Sequence, residues 1–477
     1  SSSNQRSAQL MAARSTDLRS SVPQSRGMWW LITPMLWGVA WTFLRPTKAA
    51  KASLLGLLLE PLEVLAMVRL KFFGALPARD VPSPPNAGST LEEDVKFCSD
   101  MLTKVSRSFA AVIRQLPDEL CVSICVFYLA LRALDTIEDE TKLEKFDGLL
   151  KKQGKDCTKA NRVKAQQETL RAFYAVFYAG TKQGSPVPPP DMEAVVAGKV
   201  GYGDEAILLV EFARVTRVFW SLPAAQQDVI ADITRKMGDG MASYLDRDLA
   251  AGTADTSDYN NYCHIVAGYV GEGLTRQFHA SGFEKFNKPG TVGMQVMEIG
   301  LGTLASDMGL FLQKVNIIRD YLEDQLDGRS FWPRSVWAKY AKALSDFRAP
   351  ENLNSGVQCM NELIADALEL TPRCIAYLHS LQTPEVVMFC AAPQVMALLT
   401  LNCLLDNEAV LKGVVKVRKP LTARVFLKCS TMPDIAFWFR STSQEMRLKI
   451  GRSERLSEGL RARMLKALDA LEAALST

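Results

Sequence analysis

Histidine is nearly absent from this chain: His264, His279 and His379 are the only three in 477 residues. Zinc and iron sites draw heavily on imidazole and thiolate ligands, so a His-built metal centre is not expected. The ten cysteines are scattered and include no C-x-x-C pair. Cys121 and Cys125 fall inside an apolar helical run and read as core. Disulfide frameworks belong to small secreted chains, so a chain of this length fits a reducing compartment better. Excess charge of one sign is also lacking: Lys and Arg total 56 against 52 Asp and Glu, a net +4. No dense basic stripe accompanies it, which argues against nucleic acid as a partner. Strand-like alternation is missing, and no repeat of fixed period is found.

What is present is apolar and helical. Hydrophobic residues make up 48% and charged residues 23%, a balance that predicts a packed core. Helical periodicity runs from Leu91 to about Leu411, interrupted by QGSPVPPPD at 183–191. The expected fold is all-α, a single large helical bundle with a central cavity between inward-facing helices. Three regions are expected: an N-terminal extension at 1–50, a catalytic domain at 51–430, and a C-terminal tail at 431–477 ending in an amphipathic helix.

The extension begins with a Ser-, Ala- and Arg-rich stretch over 1–28, which reads as an organelle-targeting segment or a disordered tail. The uncharged run MWWLITPMLWGVAWTFL (28–44) is at the short end for a membrane span, and its tryptophans suit an interfacial position. A membrane anchor and a buried core helix both remain open for it. The run at 52–68 carries acids and Pro61 and reads as amphipathic or core. In the C-terminal helix Leu460, Met464, Leu468, Leu471 and Leu475 share one face, which suits packing onto the domain or resting on a membrane surface.

Two acidic stretches organise the chemistry. YLALRALDTIEDE (128–140) spaces Tyr128, Arg132, Asp135 and Asp139 at i, i+4, i+7 and i+11, with Glu138 at i+3 from Asp135. QKVNIIRDYLED (313–324) spaces Gln313, Asn316, Asp320 and Asp324 similarly. On continuous helices each set shares one face. Apolar residues surround both, and buried carboxylates without partners are costly. Mg²⁺ answers that cost, because it prefers hard oxygen ligands and bridges to substrate phosphates. The spacing therefore predicts a two-sided metal–diphosphate clamp. Loss of diphosphate from an allylic carbon leaves a cation that the faces of Phe109, Tyr128 and Phe389 can stabilise. GYGDEA (201–206) and GLGTLA (300–305) fit a G-x-G-x-x-A pattern, but neither sits between a strand and a helix, so a Rossmann site is not expected.

Beyond spacing, a set of segments in fixed order carries a resemblance. VSRSFAAVI (105–113), YLALRALDTIEDE, MGDGMASYL (237–245), YCHIVAGYVG (262–271), FLQKVNIIRDYLEDQLDGRSFWP (311–333), FCAAPQVMALLTL (389–401) and VKVRK (415–419) together resemble the squalene synthases. The likeness spans roughly 60–420. Phytoene synthases share the acidic motifs, whereas the FWP, FCAAPQVMA and VKVRK segments point to the squalene branch.

The resemblance implies an isoprenoid-synthase fold and a prenyltransferase, joining two farnesyl diphosphates to presqualene diphosphate and reducing that with NADPH to squalene. It implies Mg²⁺ held by Asp135, Glu138 and Asp139 on one side and by Asp320, Glu323 and Asp324 on the other. Tyr262 matches a proton acceptor. Ser106, Arg107, Ser108, Gln313, Asn316 and Arg329 match substrate contacts. Phe389, Cys390 and Pro393 match an inner pocket, and Arg107, Arg132, Arg319, Lys416 and Arg418 match NADPH contacts. A monomer on the endoplasmic reticulum membrane, its active site facing the cytosol, is implied too. One departure stands out. A flap lysine is expected near Gly203, where this chain reads Gly201, Tyr202, Gly203, with Lys199 a few residues earlier. Paralogues that stop at presqualene diphosphate, make another triterpene, or act only as a scaffold are the alternatives.

Overall fold

In the computed structural model the described residues are 79–84, 88–178, 200–286 and 295–476. The candidate anchor at 28–44, the run at 52–68, the loop at 183–191 and Lys199 lie outside them. All described residues belong to one unit, Leu65–Thr477, and helix is the only regular structure among them.

The helices that build the core are α1 (Ser89–Val105), α2 (Asp118–Glu138), α3 (Gly203–Val210), α4 (Ala224–Ala242), α5 (Tyr269–Ala280), α6 (Leu304–Arg319), α7 (Tyr321–Leu326), α8 (Leu353–Leu368), α9 (Thr371–Ser380), α10 (Pro384–Leu404), α11 (Met432–Arg452) and α12 (Glu458–Ala474). Two of them, α2 and α10, are apolar enough and, at 21 residues each, long enough to cross a membrane. Yet 83% and 72% of their apolar windows are buried in protein, so both are core helices.

Local chemistry sets the ends of the motif-bearing helices. Helix α2 starts after Pro117 with Asp118 and Glu119 in its first turn, where acids suit the positive end of the helix dipole. Its run from Leu120 to Phe127 is wholly buried. Helix α6 is capped by Thr303, whose hydroxyl accepts from the Ser306 amide. It packs against α5, α8, α9, α10 and the wide π-type turn at His264–Gly268, and so forms the axis of the bundle. Glycine permits that crowding. A Cβ on Gly309 would stand 2.0 Å from the Ala267 carbonyl oxygen, and one on Gly271 would stand 2.0 Å from that of Ala305.

Helices α2 and α6 both pack on α5 and both line a shared cavity. At the C-terminus, α12 buries Met464, Ala467, Leu468 and Leu471 against α8, α9 and α11.

Candidate active site

Between α2, α5, α6 and α10 lies an apolar cavity of about 440 Å³, within the size range of small-molecule sites. Phe109, Tyr128, Leu131, Phe389, Cys390 and Pro393 help to line it. Phe109 and Tyr128 tilt together with ring centroids 5.4 Å apart, and Phe389 meets Phe278 edge-on at 6.1 Å. Pro393 lies inside α10 and has no N–H, so it removes the helical hydrogen bond that the Phe389 carbonyl would accept. A single acid, Asp135, reaches this cavity, beside Arg132 and the amides Gln313 and Asn316.

A second, polar cavity of about 210 Å³ shares Asp135, Gln313 and Asn316 with the first. Glu138, Asp139, Asp320, Asp324, Tyr262 and Arg329 complete its charged and hydrogen-bonding wall. The acids of the two motifs are thus 181–189 residues apart in sequence yet line one mouth above an apolar chamber.

The second motif departs from the expected continuous helix. Helix α6 ends at Arg319, Asp320 has φ −92° and ψ 14°, and α7 restarts at Tyr321. Gln313, Asn316, Asp320 and Asp324 therefore do not share one face of a continuous helix. The Asp324 amide still donates to the Asp320 carbonyl at 2.9 Å, which keeps both carboxylates at the mouth. Contrary to the expected metal role, Glu323 is exposed and lines neither cavity; it follows the break at Asp320, whereas its counterpart Glu138 lies on unbroken α2 and lines the mouth. In the first motif α2 ends at Glu138, and Asp139 is its C-cap.

Burial and mutual repulsion mark these carboxylates. Burial, then the charge of Asp139, pushes Asp135 up to about 7. Burial, then Asp139 and Asp135, pushes Glu138 up to about 8. Burial also takes Asp324 to about 7, with Arg329 pulling the other way and Asp320 adding repulsion. Arg329 donates to Asp139 at 2.6 Å. Burial works against its charge, but Asp139 outweighs that and holds the guanidinium more firmly protonated than usual. The backbone fixes its place: the Arg329 amide donates to the Asp324 carbonyl at 3.0 Å, and the Ser330 amide to that of Leu249 at 2.9 Å. The Trp332 indole donates to the Ile317 carbonyl at 3.2 Å.

Tyr262 stacks on Phe331 at 4.3 Å with an interplanar angle of 11°. Burial, then the Glu138 charge, pushes its phenol well above the ordinary range, and Arg329 opposes this. In this arrangement Tyr262 holds its proton.

Other expected contacts are distributed unevenly. Ser106 caps the Arg107–Ile113 helix, its hydroxyl accepting from the Phe109 amide. Arg107 and Ser108 are exposed and line neither cavity. Arg319 is taken up by Asp320 in a two-point ion pair at 2.7 and 2.5 Å. Lys416 and Arg418 lie on the extended segment 414–418, are exposed, and line neither cavity. The described flap, 200–210, contains no Lys or Arg. Phe331 went unassigned in the sequence. Its neighbour Tyr262 is 69 positions away, and no spacing rule links them.

The raised carboxylates give a signed pH dependence. From their ordinary values of 3.8 and 4.5 up to about 7 and 8, the folded state holds protons that the unfolded chain has released. Stability of the metal-free protein is then present at low pH and lost as pH rises through 7–8. His264, lowered by burial to about 4, imposes the opposite slope only below its ordinary 6.5. Thermal denaturation in a chelator is expected to show the melting temperature falling from pH 6.5 to 8. Glu138→Gln is expected to flatten that fall and to raise the melting temperature at pH 8.

A family model described as squalene/phytoene synthase matches residues 102–421. Squalene synthase from Solanum lycopersicum is 36% identical over 422 residues, 88% of either chain. Squalene synthase 1 from Panax ginseng is 35% identical over 405 residues, 84% of either chain. The solved complex of TcSQS with the ligand BPH1237 is similar at a TM-score of 0.66 and 34% identity, covering 80% of this chain and 99% of that one.

Proposed function

From the premise that this chain belongs to the squalene/phytoene synthase family and is a prenyltransferase, we propose that it makes squalene from two farnesyl diphosphates. The reading has two halves: head-to-head coupling to presqualene diphosphate, then reductive rearrangement with NADPH. The observation that carries it is the joining of one acidic mouth to one apolar chamber, with Asp135 on both.

The donor set of the mouth fits Mg²⁺. Its carboxylates are hard oxygen donors, and burial and repulsion raise Asp135, Glu138 and Asp324, which cations relieve. Among the described residues no three His, Cys or acidic groups already converge as a cluster. Mg²⁺ keeps several waters and is completed by substrate phosphates, so the carboxylates would share it with both. Asp135, Glu138 and Asp139 would hold it on one side, Asp320 and Asp324 on the other. When bound it neutralises the departing diphosphate.

The chain's own residues do the rest. Arg132 and Arg329 offer guanidiniums to phosphate oxygens. Phe109, Tyr128 and Phe389 present ring faces to the allylic cation. The apolar wall excludes water that would quench it. Tyr262 lines the mouth with Phe331 stacked on it, and the Arg329 charge is what this chain supplies to favour loss of its proton. Gln313 and Asn316 orient the polar end of the substrate where the cavities meet.

For NADPH the fit is one of charge. Residues 409–433 carry Lys412, Lys416, Arg418, Lys419, Arg424 and Lys428 and no acid, which suits a phosphate-rich cofactor. When bound, NADPH supplies the hydride. Their distance from the cavity favours a second reading, a chain that couples but does not reduce. Incubation with farnesyl diphosphate and Mg²⁺, with and without NADPH, separates the readings by product. Squalene formed only with NADPH supports the first, presqualene diphosphate under both conditions supports the second, and unconsumed substrate rejects both. Lys416→Ala is expected to lose reduction while presqualene diphosphate still forms. Equal loss of both products would remove Lys416 from the cofactor site.

We place the enzyme at the endoplasmic reticulum membrane, as a monomer whose active site faces the cytosol. Fractionation of the full chain with membranes, and its mass in detergent, test this.

A further inference from the structure

The flap is clasped onto the first acidic motif, and the clasp delivers an acid to the diphosphate end of the cavity. Gly201 makes the approach, with φ +80° and a position where a Cβ would stand 2.5 Å from the Thr136 methyl. Glu140, the buried last residue of the motif, accepts from the Gly201 amide at 3.0 Å and from Lys145 at 2.6 Å. Lys145 also donates to the Gly201 carbonyl at 3.0 Å and sits 3.5 Å from the centre of the Tyr202 ring. This fixes where α3 begins. In its first turn Glu205 then meets Arg132 in an ion pair, while Asp135 stands 3.9 Å from the same guanidinium.

Acids in a first turn are often there for the helix dipole, and Asp204, beside Glu205, adds only a surface ion pair with Lys104 at 3.9 Å. Glu205 differs because it engages a cation that lines the main cavity. We propose that Glu205 is a positioning residue that sets affinity for diphosphate: it holds the Arg132 guanidinium as a stand-in anion, and an incoming diphosphate has to displace it. This rests on the reading that the mouth takes a diphosphate.

The physical argument is competition. A guanidinium forms its strongest bonds as a two-point fork to one anion. Because the clasp holds α3 in place, the carboxylate competes intramolecularly and needs no ordering of its own. The displacement costs ground state and transition state alike, so it enters KM and leaves kcat alone. A purely structural pair would instead show in the melting temperature or in kcat.

The test titrates inorganic pyrophosphate with Mg²⁺ into the full chain by calorimetry and measures farnesyl diphosphate turnover alongside. Glu205→Gln is expected to bind pyrophosphate about tenfold more tightly, with KM lower by a similar factor and kcat unchanged. Glu205→Asp keeps the charge on a shorter arm and is expected to fall between wild type and Glu205→Gln. Affinity equal to or weaker than wild type in both variants, with wild type binding normally, overturns the inference. A wild-type chain that does not bind magnesium pyrophosphate overturns the diphosphate site beneath it instead.

Discussion

Asp135→Asn is expected to lower farnesyl diphosphate turnover about a thousandfold, on the scale of removing a principal transition-state electrostatic contact. Asp135 is the one acid that lines both the apolar chamber and the acidic mouth. On the proposed function, its carboxylate sits where the bond between carbon and diphosphate breaks. Asparagine keeps the size and one oxygen but removes the charge that a divalent ion needs. The fold should survive, because in the metal-free state that charge is unfavourable: burial and Asp139 have already pushed it up to about 7. The expected signature is lost turnover with an unchanged or higher melting temperature in chelator, measured by single-turnover product analysis beside thermal denaturation. Near-normal turnover would remove Asp135 from the site. A collapsed melting temperature would make it a structural residue.

Arg329→Gln is the second large effect, and its two readouts should move in opposite directions. Arg329 is the cation among the described residues that pairs with Asp139 across the mouth, at 2.6 Å, and it also acts on Asp324 and Tyr262. It offsets the carboxylate repulsion, and in doing so occupies acids that Mg²⁺ would use. Removing it is expected to tighten Mg²⁺ binding severalfold in titrations without substrate, since competition for Asp139 ends. Turnover is expected to fall by roughly a hundredfold or more, since a diphosphate contact and the charge favouring the Tyr262 phenolate go together. Weaker Mg²⁺ binding in the variant would show that Arg329 organises the carboxylates instead of competing for them.

Asp135 and Arg329 differ in how far the sequence exposes them. Asp135 was legible from local spacing: four-residue steps, an apolar run upstream, and acids too costly to bury without a cation. Arg329 stands out in the sequence only through its place in the segment shared with the squalene synthases. Its contact with Asp139 crosses 190 positions and depends on how Trp332 and Ser330 pin the turn after α7. The break at Asp320 was not legible either. A run of i, i+3, i+7 and i+11 assumes unbroken helix, and only the packed structure shows that α6 ends at Arg319 and that Glu323 turns away.

By itself the sequence determined an all-helical chain, two carboxylate motifs on buried stretches, and aromatic residues suited to an allylic cation. Periodicity and burial cost act over a few turns of one helix, so a reading of residues captures them. Tertiary structure decided which groups face each other. It set Asp139 against Arg329, stacked Tyr262 on Phe331, and brought Glu205 to Arg132 across 73 positions. It also left Lys416 and Arg418 off the cavity. Ion pairs and stacking depend on distances of a few ångströms, and those distances are fixed by how helices cross, which no local pattern encodes.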